Sequence, residues 1–156
     1  MSITIERAVE ATVEVHQLIG ELNDVLGAAY ETHQRHGLSV AQLFQPNLRF
    51  FLARLDGVAS GCGGVAIFED YAEVKRMYTR ATARRQGIAN ALLRRIEGEA
   101  GGFGRSILRL ETGIHQQEAI GLYQRAGYRQ RGPFGAYAAM PLDDIETSLF
   151  FEKRLT

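Results

Sequence analysis

Arg84, Arg85, Gln86, Gly87, Ile88, Ala89 and Asn90 form a basic, glycine-containing run between a strand-like segment and an apolar helix pattern. A run of this kind can bind phosphate. The first turn of a helix carries N–H groups with no internal partner, and the helix dipole favours an anion there. Small residues at Gly87 and Ala89 let a bulky phosphate approach the backbone. The Arg84 and Arg85 side chains either add charge-assisted contacts, each worth roughly 1–3 kcal/mol where well placed, or stay solvated. Cys62, the single cysteine, lies in a strand pattern with no histidine beside it. It reads as a buried inert thiol rather than an acyl-carrying nucleophile. His33 and His36 have the spacing of a metal pair, but no third ligand cluster accompanies them, so no metal is expected.

These residues need elements to position them. Ser2 to Ala8 alternates like a strand. Thr12 reads as an N-cap, and Val15, Leu18, Ile19, Leu22, Val25, Leu26 and Ala29 recur at helical spacing to about Tyr30. Ser39 is placed to cap a short helix over Val40 to Phe44. Arg49 to Leu55, Val58 to Phe68 and Tyr71 to Thr79 predict a three-strand antiparallel meander, with Asp56-Gly57 as a hairpin turn. Ile88, Leu92, Leu93, Ile96 and Ala100 mark the next helix, and Glu99 to Gly104 reads as a glycine-rich loop. A short strand (Ser106 to Leu110), a helix (Gln116 to Ala126), a strand (Tyr128 to Gln130), a long loop (Gly132 to Ser148) and a final strand (Leu149 to Leu155) follow. Periodicity alone gives α/β or α+β.

Around the phosphate-binding run, V-K-R-M-Y-T (Val74 to Thr79) precedes and A-I-G-L-Y-Q-R-A-G-Y (Ala119 to Tyr128) follows. Arg84, Gly87 and Ala89 spell R-x-x-G-x-A, which resembles the Q/R-x-x-G-x-G/A acyl-CoA signature of the GNAT superfamily of N-acetyltransferases. The two flanking blocks resemble the strand beside the cofactor's pantetheine arm and the family's second signature. The resemblance spans about 55 residues in the family's order.

The resemblance implies a mixed, mostly antiparallel sheet with helices on both faces, splayed open at the acyl-CoA site. It implies acetyl-CoA as cosubstrate and transfer to an amine. The strand end at Met77, Tyr78 and Thr79 would hydrogen-bond the pantetheine, and the Met77 or Tyr78 backbone would polarise the acetyl carbonyl as charge develops on its oxygen. Residues Arg84 to Asn90 would cradle the pyrophosphate. Glu73, eleven residues before Arg84, matches the spacing of a catalytic glutamate in several members and would take the amine proton directly or through water. Its alternative role is a carboxylate paired with Lys75. His115 is a weaker candidate base. Tyr123 matches the tyrosine that protonates the departing thiolate, against the alternative of a core aromatic on the stripe Ala119, Leu122, Tyr123 and Ala126. Gln116 stands where many members carry an asparagine that contacts the pantetheine. Homodimers are common in the family, and nothing in the sequence itself establishes one.

Bulk properties fit this frame. The 156 residues make one domain, residues 1–156, and fractions of 46% apolar and 23% charged exclude a disordered chain. No apolar run approaches the roughly 18 residues of a membrane span. No signal-peptide pattern opens the chain, and the lone cysteine suits a cytoplasmic protein. Net charge is zero, yet residues 73–132 hold 12 bases against 5 acids, a field that suits coenzyme A phosphates. Nucleic acid also suits a basic patch, but no helix-turn-helix, zinc or RNA-binding signature is present. A noncatalytic acyl-CoA-binding module is the rival function. Acceptor choice is expected in Tyr30 to Phe51 and in the Gly132 to Ser148 loop. Phe134, Tyr137, Asp143, Asp144 and Glu146 of that loop are placed either to hold a cationic amine or to pack and solvate it. The acceptor is a small amine or amino acid, an antibiotic, a lysine side chain or a protein N-terminus, with a small molecule slightly favoured because one compact domain shows no obvious extension for a peptide partner.

Overall fold

The computed structural model describes residues 1–156. Its first helix follows the sequence pattern closely. Val15, Leu18, Ile19 and Leu22 fall on one face of α1 (Val13–Ala29) and are all buried. Thr12 accepts a hydrogen bond from the Val15 N–H and so caps the first turn. Ahead of it runs β1 (Ile3–Ala8), and beyond it β2 (Leu48–Leu55), β3 (Val58–Ile67) and β4 (Ala72–Thr79). Asp56 and Gly57 join β2 to β3 with φ of 51° and 86°, the left-handed pair that matches the twist of a two-residue hairpin. Then come α2 (Ile88–Gly102), β5 (Ile107–Gly113), α3 (Gln117–Arg125), β6 (Arg129–Arg131), α4 (Leu142–Ile145) and β7 (Ser148–Arg154).

The strands form one seven-stranded sheet in the order β1-β2-β3-β4-β5-β7-β6. Only the β4–β5 pair is parallel. Side chains alternate across the sheet, so neighbouring Phe50 and Phe51 go to opposite faces. Phe50, Leu52 and Cys62 pack under α1, while Phe51, Val65, Val74 and Leu110 pack with Leu92 and Ile96 of α2 and Leu122 of α3.

Two irregularities create the site. β4 and β5 pair only at Ala72↔Leu108 and Glu73↔Arg109, then diverge, although both strands continue. That is the splay expected from the resemblance. Beside it, β4 carries a bulge: Cys62 pairs with Tyr78 and Gly64 with Lys75, so Arg76 and Met77 together oppose Gly63. Arg76 takes a left-handed φ of 55° there. Holding a non-glycine residue in that region costs about 1–3 kcal/mol. The bulge re-aims side chains. Strict alternation would send Arg76 to the α2 face with Val74, but it reaches Asn23 on α1 instead.

Three expectations need correction. The glycine-rich segment Glu99 to Gly104 is helical through Gly102, because left-handed backbone begins only at Gly104, with φ of 76°. β5 extends past Leu110 to Gly113, where Glu111 to Gly113 gain partners on β7. The long loop after β6 contains a 3-10 turn (Gly135–Ala139) and the short α4, with Phe134, Tyr137 and Phe150 forming a small aromatic core beneath.

Gly61 sets how closely α2 meets the sheet. A Cβ there would lie 2.8 Å from both Ile88 Cγ2 and the Tyr78 carbonyl oxygen. Gly61→Ala therefore overpacks the joint and lowers stability by about 1–3 kcal/mol. Urea denaturation of the variant checks this, and an unchanged midpoint would refute the close-approach argument.

Candidate active site

The gap between β4 and α3 opens onto a cleft of about 390 Å³. Its floor is built by the loop from β4 to α2. Arg85 and Gly87 both adopt positive φ, 63° and 89°, and Gly87 is the N-cap of α2. The helix starts from this turn, with the Ala91 N–H bonded to the Gly87 carbonyl. Met77, Tyr78, Thr79, Arg84, Arg85, Gly87, Ile88, Ala89 and Asn90 line one wall, and Gln116 to Ala119 with Tyr123 and Arg125 line the other. Arg84 is half-exposed and sits 3.8 Å from Glu118 across the mouth. A left-handed turn, open helix N–H groups and three arginines suit a pyrophosphate. The cleft is long and half apolar, which suits a pantetheine arm. Of the residues expected to cradle the phosphates, Gln86 alone does not line the cleft.

A second pocket of about 120 Å³ adjoins the first. The two share Leu22, Met77, Gln116, Ala119 and Tyr123. Glu73 lines this pocket and is 3% exposed. Its Oε2 accepts a 2.7 Å hydrogen bond from the Tyr137 hydroxyl and lies 2.9 Å from Lys75 Nζ. Lys75 also donates to the Tyr137 oxygen at 3.0 Å, closing a three-member network. Oε1 takes part in neither contact. The alternative role for Glu73, pairing with Lys75, is thus realised, while the carboxylate still faces the pocket. Glu111 lies in the same pocket and accepts from Ser148 Oγ at 2.6 Å. Burial raises its carboxyl above the ordinary range. Tyr123 is buried at the junction, and burial pushes its phenol well above the usual value. The hydroxyls of Tyr30, Tyr78, Tyr128 and Tyr137 are hydrogen-bonded to protein groups, whereas that of Tyr123 is not.

The profile of the acetyltransferase (GNAT) family matches residues 15–128. The chain belongs to the GNAT family. A protein of Azospirillum brasilense named IAA acetyltransferase is 44% identical over 156 residues, covering 99% of both chains. Among solved structures, one from Klebsiella pneumoniae described as an acyl-CoA N-acyltransferase superposes with a TM-score of 0.78 at 33% identity, covering 99% and 98% of the two chains. A GNAT acetyltransferase of Elizabethkingia anophelis with acetyl-CoA bound shares the fold at a TM-score of 0.71 and 18% identity, covering 98% of each chain. As a GNAT enzyme the chain is an acetyl-CoA-dependent N-acetyltransferase, and acetyl-CoA is its cosubstrate.

Within the GNAT frame several sequence candidates change standing. Cys62 is fully buried, its thiol donates to the Arg76 carbonyl, and burial pushes it up to about 12. That is an inert thiol, as the strand pattern indicates. Gln116 lines both cavities, with its side-chain oxygen accepting from the Tyr30 hydroxyl at 3.1 Å. His115 is exposed, lines neither cavity, and stacks on Tyr30. His36 bonds the Asp144 carbonyl, fastening the segment after α1 to the segment after β6. Of the aromatic and acidic loop residues, Tyr137 reaches the pocket, Phe134 is buried in the aromatic core, and Asp143 and Glu146 are exposed. Arg35, Arg76, Glu111 and Arg125 line the cavities and were not singled out from sequence. Charge at an apolar strand position is the one signal that marks Arg76 beforehand.

Proposed function

We propose that this GNAT enzyme acetylates the primary amine of a small molecule by direct transfer while both substrates are bound. The observation that carries this is the junction of the two cavities at Met77, Gln116 and Tyr123. Acetyl-CoA supplies the activated acetyl group as a thioester. The α2 N-terminus and Arg84–Arg85 hold its phosphates, and Met77, Tyr78 and Thr79 align its arm along the open edge of β4. The bulge takes the Met77 backbone out of the regular ladder just before the paired Tyr78, and one of these two backbone groups faces the oxygen on which charge develops. Glu73 takes the proton of the acceptor ammonium, directly or through a water, with Lys75 and Tyr137 holding its carboxylate in place. Tyr123 donates to the departing sulfur. Gln34 to Gly37 and Tyr137 line the second cavity, and the His36–Asp144 bond ties their segments together, which suits a small acceptor rather than a chain. The relative named IAA acetyltransferase supports the same size class.

The enzyme acts as one domain over residues 1–156, because a single sheet joins its first strand to its last. No helix is long and apolar enough to cross a membrane. Cytoplasmic location is inferred from the free thiol and the need for acetyl-CoA.

Calorimetric titration with acetyl-CoA, coenzyme A and ATP tests the first cavity. Micromolar binding of both CoA forms without ATP is expected, followed by thiol release with one or more members of an amine panel. Gly87→Val should weaken acetyl-CoA binding about tenfold, since a branched side chain in the turn obstructs the close approach of the pyrophosphate to the helix N–H groups. Equal affinity in the variant would remove Gly87 from the cradle. Failure of folded wild type to bind either CoA form would end the proposal.

A further inference from the structure

The acceptor pocket holds two guanidiniums that the transfer chemistry leaves unused. Arg35 enters from the segment after α1, and Arg76 from the β4 bulge. Neither forms an ion pair with a carboxylate, whereas Glu73, the other buried charge of the chain, pairs with Lys75. Each is pinned by a neutral group instead. Arg35 Nη2 donates to Thr32 Oγ1 at 3.1 Å, and Arg76 Nη2 donates to Asn23 Oδ1. The Nε atoms of both are buried without a partner. Arg76 as a whole is only 9% exposed. A buried charge with no counter-charge is strongly unfavourable.

The chain nevertheless keeps both groups there. The bulge carries Arg76 away from the helix face, at the expense of a left-handed non-glycine backbone. Gly37 lets the loop close directly on the Arg76 guanidinium, where a Cβ would overlap Nη1. Burial, together with the charge of Arg35, draws the Arg76 guanidinium below its ordinary value. Two like charges therefore share one space, and an anion between them would relieve both the repulsion and the missing hydrogen bonds. Glu73, already paired with Lys75, and Glu111 line the same pocket. The pocket thus carries both donors for an anion and carboxylates for an ammonium.

We propose that Arg35 and Arg76 clamp the carboxylate of the acceptor, so that the amine acetylated is the amino group of an amino acid. This rests on the acetyl-transfer function proposed above for the amine end, and on the arginine geometry alone for the carboxylate end. Paired donors at a planar fork favour a carboxylate over a neutral amide. Loss of charge-assisted hydrogen bonds weakens an acceptor by about 10- to 100-fold.

The test compares the L-amino acids with their α-carboxamides as acceptors, read by thiol release. At least one acid should exceed its amide by about 10- to 100-fold in kcat/KM. Arg35→Gln and Arg76→Gln should each raise the KM for that acid about tenfold or more, leaving the amide KM and the acetyl-CoA Kd unchanged. Because Arg76 is buried and its variant is at risk of misfolding, the wild type is also titrated by NMR. The Arg35 and Arg76 Nε–H signals, assigned by through-bond correlation, should move with the acid and stay fixed with the amide. Amides used as well as acids, or Nε–H signals that move with no acid, overturn the clamp. Thiol release absent with every amine, while the Nε–H signals still move with an acid, sinks the transfer function and leaves the carboxylate site standing.

Discussion

Tyr123→Phe lowers kcat by about 10²- to 10⁴-fold and leaves the Kd for acetyl-CoA nearly unchanged. The variant removes one oxygen and keeps the ring. That ring is buried and sits 5.8 Å from Tyr128, so its packing survives the change. What disappears is the one pocket-facing phenol without a protein partner at the junction of the two cavities. A departing thiolate gains its proton from this phenol only as the C–S bond breaks, so the missing donor raises the barrier rather than weakening binding. The pH profile tests whether the phenol holds its proton. Burial, and to a lesser degree the charge of Glu111, raise the Tyr123 phenol above its ordinary value near 10. A group shifted upward keeps its proton through the range where an exposed phenol would lose it. Wild-type kcat should therefore show no alkaline loss from Tyr123 as pH passes 10. Stopped-flow thiol release across pH, paired with calorimetry, reads both parts. Turnover by the phenylalanine variant equal to wild type would remove Tyr123 from the chemistry.

The turn that opens α2 was legible because its causes are local. Gly87 must take positive φ, and Arg84 to Asn90 open a helix whose apolar spacing is plain in the sequence. The hairpin at Asp56-Gly57 and the Thr12 cap are legible for the same reason. The bulge is different. Whether Arg76 follows alternation or reaches α1 depends on Gly63 across the ladder, and no window along β4 contains that residue. The divergence of β4 from β5 is equally non-local, since it needs β7 to satisfy β5 on its other edge. Glu111 and Tyr137 became site residues only when β7 and the turn at Gly135 to Ala139 folded over the opening. Both segments expected to choose the acceptor contribute to the lining of the second cavity, yet which of their side chains reach it, Arg35 and Tyr137 among them, is set by tertiary packing. Glycines misled once: the run at Gly101 and Gly102 continues a helix, and the residue that needs glycine is Gly104.

Glu73→Gln lowers kcat at neutral pH by about 10²- to 10³-fold, with a deficit that shrinks as pH rises. The sign follows from the acceptor. An alkylammonium has a pKa near ~10.4, so below that value most of it must lose a proton before attack. A base supplies that step, and its loss matters most where the ammonium dominates. As pH approaches the acceptor's own pKa, free amine accumulates and the glutamine enzyme converges on wild type. A purely structural Glu73 predicts the opposite pattern, a deficit that stays constant with pH. The structural role must be controlled, because Glu73 also neutralises Lys75 at 2.9 Å. Leaving one member of a buried pair uncompensated costs about 3–5 kcal/mol. Lys75→Met combined with Glu73→Gln removes both charges and should regain much of the stability without regaining activity at neutral pH. If the double variant recovers wild-type turnover at neutral pH, Glu73 serves only to pair Lys75, and proton removal falls to water or to Glu111. If it stays slow and speeds up with pH, the carboxylate is the group that takes the proton, and the Lys75–Tyr137 contacts on Oε2 are what hold it toward the amine.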